Sequence, residues 1–273
     1  MQRPEALTAD ERAQRDRLDE RYGWACAPIM LEIERSVCGC DYGGSSWTTR
    51  AEAERMAEDL QLGPGIRLLD LGAGSGWPGL YLAQVTGCRV TLADLPVAGL
   101  KIARDRAAAD GIAERAGAVV ADAAFLPFAD DFFDALSHSD LLCCLVQKRA
   151  VLAACRQVLR GGGRMVFTVL YVSPGLSAGD YRKAVASGPE FVESDSDYPT
   201  LLSETGWSAV DTEDLTTALG ASYRRQLDAD LARQGELTAL LGAAAYDERI
   251  AMWRGKGCAV EEGLLRRARF VVV

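Results

Sequence analysis

The chain has 273 residues, 49% of them hydrophobic and 25% charged, which is an ordinary globular composition with enough apolar material for a sizeable core. Its formal net charge of −9 excludes the basic surface that nucleic acid requires, so we expect no nucleic-acid partner. No apolar run approaches the roughly 20 residues of a membrane span, and the charged N-terminus lacks a signal core. We therefore expect a cytoplasmic protein.

Eight scattered cysteines and a single histidine argue against a metal site.

The N-terminal part of the chain is predicted to be helical. Thr8 and Glu11 match the capping box, in which a threonine and a glutamate three residues later satisfy each other's backbone N–H groups. They open a charged helix that we expect to reach about Tyr22. A second helix is predicted over residues 25–37. Its apolar residues recur at helical spacing.

A glycine- and serine-rich loop, CGCDYGGSSWTT, follows the second helix. Thr49 and Glu52 form another capping box and begin a helix that ends near Gly63. Trp47 is thus either a hydrophobic contact that fixes the start of this helix or part of a ligand wall, and both interpretations can hold together.

Strands and helices alternate from residue 66 onwards. Short apolar runs predict buried strands, and segments with apolar residues at helical spacing predict the helices between them. This alternation is typical of a doubly wound parallel sheet. The predicted strands are IRLLDLG, CRVTLADL, GAVVAD, FDALSHSD and RMVFTVLYV, and the predicted helices are WPGLYLAQVTG, VAGLKIARDRAAADG and KRAVLAACRQVLRGG.

The pattern changes after Val172. A loop-rich stretch leads to a short helix, YPTLLSETGW, and a strand, SAVDTEDLT. A mostly helical segment, 217–263, precedes a last strand, RRARFVVV, and we expect it to form a lid over the carboxyl edge of the sheet. We predict four regions: an N-terminal helical cap (1–60), a cofactor-binding core (61–172), a substrate and lid region (173–263) and a terminal strand (264–273).

Two glycine patterns overlap in LLDLGAGSGWPGLYLA. The segment from Gly74 to Gly79 matches G-x-G-x-x-G, the dinucleotide-binding pattern. Read from Asp70, the same stretch is an acid followed by Gly72, Gly74 and Gly76. We take the second pattern as the relevant one, because Gly79 falls inside the predicted helix. The glycines alone predict a ligand that carries adenosine or phosphate.

Acidic residues at the ends of neighbouring strands narrow the choice of ligand. Asp94 lies 20 residues after Gly74, where a carboxylate accepts hydrogen bonds from both hydroxyls of a ribose. Asp70 would repel a pyrophosphate but suits a ligand with a sulfonium and an ammonium group. Asp122 follows the third strand, where its side chain can accept from an adenine amine, and Ala123 can offer its backbone N–H.

The stretches LLDLGAGSG, DAAFLPFADDFFDAL and LRGGGRMVFTV, together with Asp94, resemble the class I S-adenosylmethionine-dependent methyltransferases. Within them the chain is similar to the small-molecule branch, which includes ubiquinone- and menaquinone-biosynthesis enzymes and natural-product sugar methyltransferases. The resemblance covers about residues 61–172. It implies a Rossmann-like seven-stranded sheet with an antiparallel last strand. It also implies S-adenosyl-L-methionine as cofactor, with S-adenosyl-L-homocysteine as its product.

The resemblance also implies a set of cofactor-binding residues. Gly72 and Gly74 let the methionine part of the cofactor lie against the backbone, and Asp70 orients that part. Asp94 binds the ribose hydroxyls. The other implied members are Leu95, Asp122 and Ala123 at the adenine, Ala73 and Gly76 in the glycine loop, and Ser139 near the transferring methyl group.

The loop before the first strand folds over the cofactor in relatives of this family. We therefore expect Tyr42 and Trp47 to wall the methionine end, and Thr48 or Thr49 to lie near its carboxylate.

His138, the only histidine, ends the fourth strand and is a candidate general base, since imidazole titrates near neutral pH. Asp140 shares its predicted face and is the alternative base or orienting group. Because strand residues alternate, His138 can instead point into the sheet packing. Several relatives carry a His-His pair a few residues further on, where this chain has Cys143 and Cys144, which we expect to line an apolar pocket.

The sequence therefore predicts methyl transfer to O, N or C of a small organic substrate by in-line displacement, and we expect a role in secondary metabolism. No Asn/Asp-Pro-Pro-Tyr motif follows the fourth strand, which argues against nucleic-acid and protein substrates. Two alternatives stay open: a nicotinamide-dependent oxidoreductase, and a non-catalytic S-adenosylmethionine-binding regulator. We expect a monomer or a homodimer.

Overall fold

The structure, a computed structural model, describes residues 8–44 and 46–273 and is built on one seven-stranded sheet with helices on both faces. The strand order is β3-β2-β1-β4-β5-β7-β6, and β7 runs antiparallel to both of its neighbours. This confirms the predicted sheet with its antiparallel last strand. The strands are β1 (Arg67–Leu71), β2 (Arg89–Asp94), β3 (Ala116–Val120), β4 (Phe133–Ser139), β5 (Leu159–Val172), β6 (Ala209–Asp214) and β7 (Leu265–Val272).

Eleven α-helices are found in the described part of the chain. Both predicted capping boxes are present, at Thr8 and at Thr49. The helices are α1 (Ala9–Ala25), α2 (Pro28–Cys38), α3 (Arg50–Asp59), α4 (Gly79–Thr86), α5 (Val97–Ala109), α6 (Lys148–Val158), α7 (Ala178–Ser187), α8 (Tyr198–Glu204), α9 (Thr216–Ala232), α10 (Gln234–Leu241) and α11 (Ala243–Glu261).

The central strands are apolar on both faces because helices cover both. Leu68 of β1 and Val166 of β5 pack into one hydrophobic layer. Their chain neighbours Leu69 and Phe167 pack into the other. This alternation explains why the sequence of each central strand is a short continuous apolar run.

The region after Val172 differs in part from the prediction. The stretch predicted to be loop-rich contains helix α7, whose N-terminus is capped by the Ser177 side chain accepting from the backbone of Asp180. The segment predicted as a lid consists of helices α9, α10 and α11. The proposed division into four regions stays a prediction. Among the described helices, none combines the length and apolar character needed to cross a membrane.

A buried arginine, Arg267 on β7, ties the N-terminal helices to the sheet. Its guanidinium lies 2.7 Å from a carboxylate oxygen of Glu52 at the start of α3 and 3.0 Å from one of Asp140 after β4. It also donates to Thr168 on β5 and contacts Thr48 in the loop before α3. Its side chain is 1% exposed, so the charge depends on these partners rather than on water.

We predict that Arg267→Met destabilises the fold by about 3–5 kcal/mol, because two carboxylates would lose their cationic partner away from water. Chemical denaturation gives this difference directly. The control is Arg266→Met on the same strand, whose side chain is exposed and whose loss should cost less than about 0.5 kcal/mol. Equal stability of the two variants would contradict the assignment.

Candidate active site

A cavity of about 550 Å³ opens at the carboxyl ends of β1, β2 and β4. Because β2 and β4 lie on opposite sides of β1, this is the point where the strand order reverses, the usual ligand position in open α/β sheets. The sheet contributes three groups of residues to its wall: Gly72, Ala73, Gly74 and Ser75 after β1, Asp94 at the end of β2, and Ser139 and Asp140 at the end of β4.

Asp94 lies at the cavity wall, as the sequence predicted for a ribose-binding residue. One carboxylate oxygen accepts from the backbone N–H of Gly74 at 2.7 Å, and the other accepts from that of Leu95 at 2.8 Å. Burial raises the pKa of Asp94 to about 6. An ionised carboxylate has about four acceptor positions, so two positions are left for ribose hydroxyls.

The glycine loop requires its glycines. Gly72, Gly74 and Gly76 have φ angles of 69°, 51° and 99°, in the left-handed region that other residues rarely adopt. A side chain at Gly74 would also collide with the Tyr22 hydroxyl. Gly72 and Gly74 line the cavity and Gly76 lies behind them.

Asp70 holds the glycine loop from behind rather than lining the cavity. Its buried carboxylate accepts from the backbone N–H of Gly79 at 3.0 Å and from the Ser137 hydroxyl at 2.7 Å. Burial raises its pKa to about 7, and the nearby Asp94 charge adds to the shift. A Cβ at Gly79 would collide with this carboxylate. Gly79 does not line the cavity. Helix α4 nevertheless needs a glycine at this position, because any side chain would prevent its close approach to Asp70.

Of the residues predicted in the loop before α3, namely Tyr42, Trp47 and either Thr48 or Thr49, only Trp47 reaches the cavity. Its ring packs edge-on against those of Tyr223 at 4.7 Å and Trp253 at 5.1 Å. Tyr42 is buried against Trp77 instead, at 5.2 Å between ring centroids. Thr48 is fully buried, and its hydroxyl faces Arg267. The predicted roles of Tyr42 and Thr48 against the cofactor are therefore not supported, because packing and the buried arginine take their side chains.

The residues predicted at the adenine lie at the same sheet edge but outside the cavity wall. The Asp122 carboxylate accepts from the backbone N–H of Ala124 at 2.9 Å, and Ala123 is buried. Leu95 follows Asp94 directly. Their adenine contacts stay predictions.

The position of the His138 side chain contradicts its predicted role as a general base. Its side chain is fully buried and stacks on Phe167 at 4.7 Å between ring centroids. Neither ring nitrogen has a hydrogen-bond partner among the described residues. Burial lowers its pKa to about 3, so the imidazole is neutral at neutral pH. The alternation of strand residues turns His138 into the core, away from the cavity.

Asp140, the alternative, does reach the cavity. The residue has a φ of 53°, so the strand alternation that governs His138 has ended before it. Its carboxylate is paired with Arg267 at 3.0 Å. An ion-paired carboxylate accepts hydrogen bonds from an acceptor hydroxyl or amine, which suits an orienting role. Cys143 and Cys144 also line the cavity, as the sequence predicted.

Helix α1 forms a wall of the cavity that the sequence analysis missed. Gln14, Arg17, Leu18, Arg21 and Tyr22 face it, at the i, i+3, i+4, i+7 and i+8 spacing of one helix face. The sequence contains this spacing, but the cavity-facing side of α1 carries two arginines. It therefore lacks the apolar stripe by which a packed helix is recognised.

Contacts at both ends hold α1 over the cavity. Asp19 accepts from the backbone N–H of Ala98 at the start of α5, at 2.9 Å. Arg17 forms an ion pair with Glu190, which follows α7. Helix α11 closes another side with Met252, Trp253 and Lys256, and it is the one member of the predicted lid segment that reaches this cavity.

The fold, the glycine loop and the position of Asp94 define a Rossmann-like cofactor-binding protein of the class I methyltransferase type. A family model described as "Methyltransferase domain" matches residues 69–167. The chain is 33% identical to the demethylmenaquinone methyltransferase of Mycobacterium marinum over 61% of this chain and 79% of that protein. The chain belongs to the S-adenosylmethionine-dependent methyltransferases, and its cofactor is S-adenosylmethionine.

Further similarities agree with this family. The chain is 31% identical to the methyltransferase GfsG of Streptomyces halstedii over 60% of each chain. It is 32% identical to the 27-O-demethylrifamycin SV methyltransferase of Amycolatopsis mediterranei over 65% of this chain and 66% of that one. The chain thus spans less than two thirds of these relatives. The phosphoethanolamine N-methyltransferase 2 of Haemonchus contortus shares the fold, with a TM-score of 0.80 at 18% identity, over 99% of this chain and 61% of that one.

We predict that Asp94→Ala weakens S-adenosylhomocysteine binding by about 1–3 kcal/mol, the range for lost hydrogen bonds to a charged group. Isothermal titration calorimetry measures this change. Asp105→Ala, at an exposed position on α5, is the matched control and should bind normally. Unchanged affinity in Asp94→Ala would refute the ribose contact.

The raised pKa of Asp94 predicts a pH dependence of cofactor affinity. The carboxylate accepts from both ribose hydroxyls only when ionised, so affinity should be full above about pH 6 and decline as the pH falls below it. Binding titrations from about pH 5 to about pH 8, a range that includes this pKa, test the predicted decline in affinity. Asp94→Asn should remove the acidic decline, and a decline of equal size in that variant would assign it to another group.

Proposed function

We propose that the protein transfers the sulfonium methyl group of S-adenosylmethionine to O, N or C of a small organic metabolite by in-line displacement. The observation that carries this proposal is one cavity with Asp94 and the glycine loop at one wall and Ser139 and Asp140 at another. The methyl group is already activated in the cofactor, so the protein has mainly to position the two reactants and exclude water.

Polar atoms in the cavity wall fit the cofactor. The hydroxyls of Ser75 and Ser139 are buried without a hydrogen-bond partner among the described residues. Buried hydroxyls are rarely left unpaired in a complete site, so both are suited to a bound polar ligand. Asp94 has acceptor positions left for the ribose, and Gly72 and Gly74 keep the loop backbone free of side chains. These residues would hold the cofactor.

Asp140 is the residue that we assign to the acceptor. Arg267 fixes its carboxylate at the end of β4, beside Ser139, the residue expected near the transferring methyl. There the carboxylate would orient an acceptor hydroxyl or amine toward the methyl group. No separate strong base is needed for such a transfer if the acceptor is already nucleophilic.

The size of the cavity supports a small-molecule acceptor. A volume of about 550 Å³ lies within the range of roughly 300–1,000 Å³ typical of small-molecule sites. The names of two relatives mention small organic acceptors, demethylmenaquinone and 27-O-demethylrifamycin SV, and the second of these supports a secondary metabolite as acceptor. The net charge of −9 supports our further proposal of a cytoplasmic monomer or homodimer without a nucleic-acid partner.

Methyl-labelled S-adenosylmethionine tests the proposed function. Incubation with a small-metabolite extract should move label into a small organic product, and Asp94→Ala should reduce that transfer. Cofactor binding without transfer to any fraction would favour the alternative, a non-catalytic regulator.

We predict that two variants at the end of β4 differ in their turnover in this assay. Asp140→Asn should lower turnover with little change in cofactor affinity, because it weakens the pair with Arg267 and the hold on the acceptor. His138→Phe should keep its turnover, because the imidazole is buried, neutral and outside the cavity. Loss of turnover in a folded His138→Phe protein would restore the base role.

A further inference from the structure

Two cationic side chains face the cavity from opposite helices. Arg21 lies on the cavity-facing side of α1, and Lys256 lies on that of α11, one turn after Trp253. Neither has a hydrogen bond or an ion pair with any residue in the ranges 8–44 and 46–273, and each lies over an aromatic ring. Arg21 lies 6.0 Å from the ring centroid of Trp24, and Lys256 lies 5.3 Å from that of Trp253.

The other charged side chains of the cavity wall are already engaged. Arg17 is paired with Glu190, Asp140 is paired with Arg267, and Asp94 accepts from two backbone N–H groups. Glu34 lies near Arg21, but its two carboxylate oxygens accept from the backbone N–H groups of Gly43 and Gly44. Arg21 and Lys256 are therefore the two cations of the described wall that have no ion-pair partner.

Two cations without an ion-pair partner are costly to hold near each other. Burial lowers the pKa of Arg21, and the neighbouring Arg249 lowers it further. Burial also lowers the pKa of Lys256, and Arg21 adds to that shift. Both side chains are only partly exposed, and partly desolvated like charges near each other are stabilised when a ligand brings the opposite charge.

We infer that Arg21 and Lys256 form an anion subsite for the methyl acceptor, which therefore carries a carboxylate or phosphate group. This inference rests on the proposed function. An anion between the two helices would receive charge-assisted hydrogen bonds from both sides.

The position of Lys256 favours the acceptor over the cofactor as the source of the anion. Lys256 shares the cavity wall with Cys143 and Cys144, which follow β4, and lies close enough to them to interact electrostatically. The ribose position at Asp94 lies at the end of β2, on the far side of β1. Trp47 and Trp253 pack against each other beside Lys256, so the acceptor that fits has an apolar body next to its acidic group.

Benzoate and benzamide test the subsite, because they share an apolar ring and differ in charge. Calorimetric titration of the S-adenosylhomocysteine complex should show benzoate binding about tenfold tighter than benzamide, a difference of about 1.4 kcal/mol. The preference should disappear in the Arg21→Gln/Lys256→Gln double variant. It should persist in Lys101→Gln, which removes an exposed lysine on α5. Equal binding of the two probes, no saturable binding of benzoate, or a preference that survives in the double variant would overturn the inference.

A second comparison separates the acceptor from the carboxylate of the cofactor itself. S-adenosylhomocysteine carries that carboxylate, and 5′-methylthioadenosine lacks it. The double variant should bind both with wild-type affinity, which also shows that it is folded. Selective loss of S-adenosylhomocysteine affinity would assign the cations to the cofactor and overturn the inference. Failure of the wild-type protein to bind either nucleoside would instead refute the proposed function.

Discussion

The guanidinium of Arg267 is the interaction on which the geometry of the site depends. It joins Glu52 at the start of α3, Asp140 at the end of β4 and Thr168 on β5, three segments that are far apart in the chain. Glu52 also accepts from the backbone N–H of Thr49 in the capping box. One buried cation thus fixes both the loop that carries Trp47 and the carboxylate of Asp140, which we assign to the acceptor. A buried charge is stable only where its partners surround it. The contacts of Arg267 therefore also limit how the N-terminal helical cap can be placed on the sheet.

Two carboxylates fix the glycine loop in a similar manner. Asp70 accepts from Gly79 behind the loop, and Asp94 accepts from Gly74 in front of it. The Ser137 hydroxyl connects Asp70 to β4, so the loop, the helix after it and the acceptor-side strand share one hydrogen-bonded network. Such a network orders the backbone before any ligand binds, which reduces the entropy that binding must overcome.

Much of the fold could be predicted because its signals are local. The capping boxes, the buried strands and the loop from Asp70 to Gly76 each lie within a short stretch of sequence. Arg267 gave no such signal, since its partners are 127 and 215 residues away and RRARFVVV does not reveal which arginine points inward. His138 and Asp140 were predicted to share a face, but the alternation ends at Ser139, where β4 ends. Helix α1 was missed as a wall because its cavity-facing side carries Arg17 and Arg21 and therefore has no apolar stripe.

The net charge of −9 and the cationic subsite act over different distances. A negative protein repels an anionic acceptor at long range, but salt screens that field beyond about 8 Å at physiological ionic strength. A ligand bound in the cavity between α1 and α11 would contact Arg21 and Lys256 directly, so their local field would be screened much less. Recognition would therefore depend on these two side chains rather than on the charge of the protein surface. Exclusion of water by the bound reactants would also favour transfer from a sulfonium, because charge that is dispersed in the transition state is best accommodated where water is excluded.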